Sequence, residues 1–515
     1  MKYLYLSFLL CLCSAAHVFA QAPQVIAFGE AGANFLGQQG LIDRSGNRVM
    51  TGKRFQTNDY PHIGFFDKNN AYKWSFRIDK NSATALKIIQ TKDNHYVASF
   101  YPGIVLKFDS LGNIIWYKNF SNVSNWEDVT EDVNGDLFMV ANSGGKMIVS
   151  KMTTAGNIVA TYGYSLNPVS SYLFGRSIQE SYDGNLIVCG LASYLSATPA
   201  KPVVLKINKS GGIIWKRVFA CAGTSLLIDK LIESKTDHSF FGVGYEGTNT
   251  TVSFNGFSLK LDTAGHYVSN RSIGFPFHDT YYDVCEAPEG GFVAVGMSKP
   301  VEVCGGNMFY TKFSHNHDTL FNKVYGTGGG QGAFYFNIHN AANGGYYSFG
   351  TGSLWSTINI PYDYTLLMAD AQLELPCKKH SQQFTQNILN ITEDTNIVTG
   401  VFNPLFTDTY IKTYDSMIAM DACTGVALST PSVNENTIPL TVFPNPAGQT
   451  LNIQTPDQSL FTIQMYSMDG QLIFQQQKPV ASIQITTALW PVGIYILKVE
   501  NDRHQIIYKK VQVEK

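Results

Sequence analysis

Lys206-Ile-Asn-Lys-Ser-Gly-Gly-Ile-Ile-Trp215 decides the fold. Two apolar arms flank a short polar turn. Asn and Gly supply the turn's special backbone angles, so the segment reads as strand, tight turn, strand. The pattern returns at Lys107-Phe-Asp-Ser-Leu-Gly-Asn-Ile-Ile-Trp116 and Lys260-Leu-Asp-Thr-Ala-Gly-His-Tyr-Val-Ser269. Weaker copies run from Phe66 to Trp74, Lys151 to Ala160, Lys312 to Phe321 and Met420 to Gly425. A second hairpin precedes each one, as in Ser177 to Gly190 and Asp283 to Gly296. Its closing glycine recurs at Gly52, Gly190, Gly244, Gly296, Gly350 and Gly400, with Phe100 and Ala141 in the same slot of two copies.

Two hairpins per period of about fifty residues make a four-stranded antiparallel unit, the pattern of a β-propeller blade. Eight such units fit between residues 32 and 425. A parallel β-helix needs a period of about half this size or less, and unrelated sandwiches would not keep one phase. The expectation is an all-β chain with an eight-bladed propeller. A seven-bladed ring is the alternative, one degenerate copy then forming an insertion, because residues 367 to 375 match the hairpin poorly. Val25-Ile-Ala-Phe-Gly-Glu-Ala-Gly32 resembles the strand that ends other units yet precedes the first hairpin. It is expected to supply the fourth strand of the last blade and so remove two free sheet edges.

Composition agrees with a turn-rich exported β-protein. The 515 residues include 45 glycines and 19 prolines, with 13% aromatic and 15% charged residues, where about 25% charged is usual. Lys plus Arg number 37 against 39 Asp plus Glu, a net charge of -2, so no polyelectrolyte partner such as nucleic acid is implied. With 44% apolar residues the chain can bury a large core, which excludes a long tail of low hydrophobicity. Residues 1–20 carry Lys2, an apolar run to Cys13 and a close on Val18-Phe-Ala20, and read as a secretory signal. No later stretch reaches eighteen consecutive apolar residues, so no transmembrane segment is expected. Leu10 and Leu12 precede Cys11 and Cys13 where a lipoprotein signal needs small residues.

Past the signal the cysteines are Cys189, Cys221, Cys285, Cys304, Cys377 and Cys423. An even count in an exported chain favours disulfides, and the absence of a Cys-x-x-Cys spacing gives zinc no support. Six cysteines allow about fifteen pairings. Closeness in repeat space suggests Cys377 with Cys423, Cys285 with Cys304, and Cys189 with Cys221.

Aligned first strands show where a site would lie. Lys87, Asp128, Ser177, Lys230, Asp283, Asn337 and Asn387 each precede an aliphatic residue, and Gly40-Leu41 fits after a one-residue shift. In a propeller the first strand lines the channel, so the polar slot faces water while the aliphatic packs between blades. Lys87 and Lys230 with Asp128 and Asp283 would ring the channel with two cations and two carboxylates, enough to hold a polar ligand or only to order water. Two residues past each aliphatic stands an acid or amide: Asp43, Gln90, Glu131, Glu180, Glu233, Glu286, Asn340 and Asn390. A group needed in every unit is structural, expected to accept backbone N–H bonds at the hairpin that follows.

Motifs for chemistry are weak, and neither catalytic residues nor a cofactor are assigned. Asp132-Val-Asn-Gly-Asp136 starts like a calcium loop but lacks the Gly and closing Glu. His315-Asn-His317 sits in a repeated turn, expected to be solvated, and no metal is assigned. Gly326 to Gly332 has no following Lys-Ser/Thr, and the chain holds neither Gly-x-Ser-x-Gly nor His-Glu-x-x-His. Tyr162, Tyr164, Tyr281 and Tyr282 suit glycan stacking and packing between blades equally.

Residues 429–437 read as a linker between a propeller over 21–428 and a separate domain over 438–515. Seven short alternating strands in the latter predict a small Ig-like β-sandwich. Val442-Phe-Pro444-Asn445-Pro446, then Met465-Tyr-Ser-Met-Asp469-Gly470, then Gly493-Ile-Tyr495 and a basic end at Lys509-Lys510 resemble the type A C-terminal sorting domain of the Bacteroidetes type IX secretion system. The resemblance implies Sec export, passage through the periplasm and delivery across the outer membrane by that machinery. It also implies surface attachment or release. The leading functional expectation is a secreted or surface-displayed propeller that binds a glycan or a surface protein. The alternative is a secreted polysaccharide hydrolase or lyase.

Overall fold

The computed structural model describes residues 23–421 and 441–514, apart from 30–33, 56–58, 81–83, 167–170, 195–198, 249–252, 275–277, 300–305, 327–332, 353–363, 378, 381–384, 395–396, 402–404, 408–411, 416, 455–459, 468–470, 480–481 and 502–505. The signal, the linker, Cys304, Cys423, Asp469 and Gly470 therefore lie outside the described residues. Two compact units are present, the second made of Ala71–Lys73 and Thr430–Lys515.

In the first, the described residues form seven four-stranded antiparallel units. Their first strands are Asn34–Ile42, Thr84–Gln90, Asn125–Glu131, Ser171–Glu180, Thr224–Glu233, His278–Glu286 and Ala333–Asn340. These touch one another in chain order, and the seventh touches the first, so the units close into a propeller-like ring. Units 1 to 6 end on the strands Tyr72–Ile78, Ile114–Phe120, Ile158–Leu166, Ile213–Ala220, Tyr267–Gly274 and Thr319–Tyr325. Unit 7 has only three strands in sequence, and Gln24–Gly29 is its fourth, with Val25 opposite Leu367 and Phe28 opposite Tyr364.

The expected eighth unit is not a blade. The segment from 379 to 421 breaks into seven short strands that circle the ring backwards, each adding a fifth strand to one unit. They are Lys379–His380 on unit 6, Thr385–Asn387 on unit 5, Thr392–Asp394 on unit 4, Ile397–Val401 on unit 3, Phe406–Thr407 on unit 2, Lys412–Asp415 on unit 1 and Ile418–Asp421 on unit 7. Gly400, read as a closing glycine, lies opposite Gly163 on the outer edge of unit 3. Any short strand alternates polar and apolar residues, so the repeat's phase continued into a segment that never folds back on itself. The belt instead pairs part of each outer edge, which a ring of blades otherwise leaves open to foreign strands.

Neighbouring units share their cores. Val49, Trp74 and Phe76 of unit 1 cluster with Ile88, Tyr96 and Phe108 of unit 2, and Val140, Val149 and Tyr164 of unit 3 with Ile178, Val188 and Leu205 of unit 4. The Gly and Trp of the repeat explain one another at these joints. Gly156 has a φ of +83°, and a Cβ there would lie 2.9 Å from the ring of Trp116 in the unit before. The Trp116 indole N–H then donates to Thr154 O at 2.9 Å, and Trp74 repeats the bond to Ser110 O at 2.9 Å. Tyr164 and Tyr281 are wholly buried, which places them in packing rather than stacking roles.

Cys189, Cys221 and Cys285 are free thiols, which corrects two of the three expected pairs. Cys189 belongs to the second strand of unit 4 and Cys221 directly follows its fourth, Ile213–Ala220, with Lys201–Ile207 between those two strands. Two strand spacings are about 10 Å, beyond disulfide reach. Cys285 lies opposite Val293 near the turn of its hairpin. Cys377 is disulfide-bonded, to a partner outside the described residues.

In the second unit the seven expected strands all appear. Thr441–Phe443, Thr450–Gln454 and Ser482–Thr486 form one sheet, and Leu460–Ser467, Leu472–Pro479, Gly493–Asn501 and Ile506–Val513 the other. Leu451, Ile453 and Ile485 of the first pack with Ile463, Leu497 and Val511 of the second. Asn445 joins the opening to the last strand, donating from Nδ2 to Lys510 O at 2.9 Å and accepting from Gln512 N–H at 2.8 Å. Tyr495 is buried and donates its hydroxyl to Pro491 O at 2.8 Å.

Candidate functional site

All seven first strands carry a β-bulge at the same place, as between Trp126 and Asp128, Gly175 and Ser177, and Tyr281 and Asp283. The closing glycines make room for it. Gly190 lies opposite Gly175 at the bulge, and a Cβ on it would stand 1.8 Å from Phe174 O. Each bulge leaves one residue unpaired and re-aimed. Gln38, Leu86, Glu127, Arg176, Asp229 and Tyr282 are those residues in units 1 to 6, and all six line one cavity of about 630 Å³. The polar slot was legible in the sequence, but the bulge residue before it was missed. The recurrent closing glycine was its only signal.

Four of the expected slot residues, Lys87, Asp128, Lys230 and Asp283, line the same cavity. Asp128 accepts Lys230 Nζ at 2.8 Å and lies 3.4 Å from Lys87 Nζ. It also takes the N–H of Val129 at 2.9 Å and of Ile178, in the next unit, at 3.2 Å. Asp283 repeats this, accepting from Val284 N–H at 2.9 Å and Ile338 N–H at 3.0 Å. Burial alone would raise the Asp128 carboxyl, but Lys230 and Lys87 outweigh it and hold it down at about 2.

Ser177 and Asn337 are buried outside the cavity lining. Asn337 joins unit 7 to unit 1, donating to Gly40 O at 2.6 Å and accepting from Phe349 N–H at 3.0 Å. Asn387 is not in the channel. It lies opposite Ser272 on the outer edge of unit 5, because its supposed unit is the belt. In unit 1 the slot belongs to Gln39, not Gly40, since Gln39 directly follows the bulge and lines the cavity.

A second charged group forms among the bulge residues. Arg176 lies 3.3 Å from Glu127 and 3.5 Å from Asp229. Burial pushes Glu127 up to about 7, against the pull of Arg176 and with help from Asp229. Burial likewise raises Asp229, with Arg176 opposing. One wall is aromatic: Tyr245 meets Phe254 at 5.2 Å between ring centroids, and Phe254 meets His278 at 5.2 Å.

Four of the repeated acids and amides accept backbone N–H bonds in the direction opposite to expectation. Gln90 accepts Arg44 N–H at 2.9 Å, Glu131 accepts Lys92 N–H at 2.7 Å, Glu233 accepts Tyr182 N–H at 3.1 Å and Glu286 accepts Lys235 N–H at 2.8 Å. Every donor sits in the hairpin of the preceding unit, so these side chains bridge blades. Asp43 differs, accepting Ser45 N–H and Asn47 N–H of its own turn at 2.8 Å each. Asp132 likewise accepts Asn134 N–H and Asp136 N–H at 2.9 Å, an Asx turn. His317 is buried rather than solvated, held by Ser258 and Ser269 at 2.8 Å on its two ring nitrogens.

Among solved structures the chain is similar to PorZ, an essential bacterial surface component of the type-IX secretion system of Porphyromonas gingivalis, at 10% identity and a TM-score of 0.39. That match covers 93% of this chain and 59% of PorZ, so the chain spans less than two thirds of that protein. The WD40 β-propeller domain of Doa1 matches at 9% identity and a TM-score of 0.45, covering 69% of this chain and 99% of that one. Sqt1 from Chaetomium thermophilum matches at 10% identity and 0.39, over 68% and 99%. No curated protein matches the sequence. No helix among the described residues is long and apolar enough to cross a membrane. Residues 441–514 match the secretion system C-terminal sorting domain, which marks the chain for type IX secretion, to the cell surface or beyond it.

Proposed function

We propose that the chain is a type IX cargo whose ring, a seven-bladed β-propeller, is a binding module with its ligand site in the axial cavity, and that the Ig-like tail serves only export. One observation carries the reading. The bulge recurs in every unit, yet the residues it re-aims differ in each: Gln38, Leu86, Glu127, Arg176, Asp229 and Tyr282. Scaffold roles repeat around a ring, as the blade-bridging acids do, whereas an irregular lining of charge and aromatic surface suits one asymmetric ligand. A glycan or a surface-protein segment fits that lining.

Glu127 favours a second reading, a polysaccharide hydrolase or lyase. A carboxyl pushed up to about 7 beside Asp229 can donate a proton at neutral pH. Glycan-array binding and reducing-end release, measured on full-length protein and on Arg176→Ala, separate the two. Binding without release, weakened in the variant, supports the module. Release abolished by Glu127→Gln makes the enzyme reading correct. Neither binding nor release by the full-length protein overturns both.

A further inference from the structure

The slot residues plug the axis of the ring. An open, water-filled channel would expose its polar lining, yet Asp128 is 3% exposed, Ser177 2%, Asp283 7% and Asn337 2%. Side chains reach across the gap at this level. Lys230 and Lys87 converge on Asp128 from units 5 and 2, and Asn337 Nδ2 of unit 7 donates to Gln39 Oε1 of unit 1 at 3.3 Å. Gln39, Lys87, Asp128, Lys230 and Asp283 are at the same time cavity residues, and they form its floor.

The rest of the cavity lies on one side of that floor. Among the described residues, every first-strand position that lines it is a slot residue or precedes one, as Thr84 to Leu86 precede Lys87 and His278 to Thr280 precede Asp283. The first strands touch in chain order and the seventh meets the first, so the sides are closed as well. The described residues thus make a cup that opens toward the side on which the first strands begin.

We infer that this cup receives the terminal sugars of a glycan chain, end-on, and does not take an internal stretch of one. A chain crossing the site needs a way in and a way out, and the floor and the closed ring leave only the way in. A protein segment would have to bend and bring both its arms through the same mouth, whereas a glycan end needs no such turn. The lining suits sugar hydroxyls, each of which both donates and accepts, because Gln38, Gln39, Thr84 and Thr280 also do both. Tyr245 and Phe254 add ring surface for the apolar C–H face of a sugar. A volume of about 630 Å³ lies within the range that encloses a small organic ligand, and a short oligosaccharide is of that size.

This inference rests on the binding-module reading, and its test separates the two. Full-length protein is applied to linear oligosaccharides of increasing length, each tethered to an array once through its reducing end and once through its non-reducing end, beside an array of surface-protein peptides. A glycan that binds should do so at least tenfold better from one tether than from the other. Its affinity in solution should stop rising once the chain exceeds a few sugars. Leu86→Trp and Thr84→Trp, which fill the cup from unit 2, should each weaken binding at least tenfold, with near-ultraviolet dichroism identifying the variants that fold. Equal binding from both tethers, or affinity that keeps climbing with length, shows an internal stretch being held and overturns the inference while the module stands. Peptide binding with every glycan silent does the same. Glycan binding that the folded variants retain unchanged lies outside this cup and overturns the inference. Silence on both arrays overturns the inference and the module reading together.

Discussion

Lys230 donates from Nζ to Asp128 Oδ2 at 2.8 Å, reaching from unit 5 past unit 4 to unit 3. A closed ring permits this chord, because first strands two units apart face the same axis. Asp128 thus gathers two lysines and two backbone N–H groups from four first strands.

Removing Asp128 should therefore cost more than removing either lysine. Asp128→Ala leaves two cations and two N–H groups short of an acceptor, and is expected to lower stability by about 3–5 kcal/mol. Lys230→Met should cost less, since Asp128 keeps Lys87 and both N–H bonds. Urea midpoints decide it, and equal losses would contradict the account. The carboxyl is held low, at about 2, so its contribution is complete above the ordinary carboxylate range and disappears as pH falls from about 4 to 2.

Glu127 works in the opposite direction. Its folded value, about 7, lies above the unfolded one, so stability is greatest below the ordinary carboxylate range and is lost as pH rises from there through 7. The loss is roughly 3 kcal/mol by linkage. Glu127→Gln should flatten that slope and match or exceed the parent at pH 8. Denaturation midpoints at pH 5 and 8 test this, and an unchanged slope would show the group is not buried against its charge.

The hairpins and their phase were readable from local chemistry, since the Asn or Asp and Gly of Lys206 to Trp215 specify a tight turn wherever they occur. The fate of 379 to 421 was not. Its strands Lys379–His380 to Ile418–Asp421 satisfy the same alternation, and only ring closure decides that they lie outside other blades rather than form one. Slot residues such as Lys87 and Asp283 were legible because strand period places them. Arg176 and Asp229 were not, because a bulge adds one residue and shifts that period silently. Gly190 marked the bulge, but a small residue signals close approach without saying what approaches.

The blade-bridging acids should stabilise joints locally. Glu286→Ala loses the Lys235 N–H bond at 2.8 Å and the Ser234 hydroxyl at 2.8 Å, and is expected to cost about 1–2 kcal/mol. Hydrogen exchange should quicken at Lys235 in unit 5 rather than in unit 6's own hairpin. Faster exchange confined to unit 6 would restore the expected direction of the bond.

Cysteine mapping tests how the belt ends. Cys377 precedes the first outer strand, and Cys423 follows the last, Ile418–Asp421. We propose that they pair, tying the start of the belt to its end. They are 46 positions apart, for which chain entropy gives roughly 4 kcal/mol. Peptide mapping without reduction should join 377 to 423, with Cys189, Cys221 and Cys285 alkylated as thiols after unfolding. A bond from Cys377 to Cys304 would anchor the belt to unit 6 instead and defeat the proposal.

Export should be separable from the ring. The tail has its own two-sheet core, so deleting 438–515 removes no residue of the ring's strands. The truncated chain is expected to fold and to accumulate in the periplasm, and its delivery to the surface would sink the proposed role of the tail. A finer cut distinguishes recognition from folding. Asn445→Ala breaks the two bonds to Lys510 and Gln512, loosening the Pro-Asn-Pro opening from the last strand, and should lower tail stability by about 1–2 kcal/mol. Leu489 is 93% exposed and Val492 61%, so neither holds the tail together. Leu489→Ser should leave the tail's melting temperature unchanged while reducing export, if this apolar turn is read by the secretion machinery. Export that falls with Asn445→Ala but not with Leu489→Ser would assign the tail's role to its folded frame rather than to that turn.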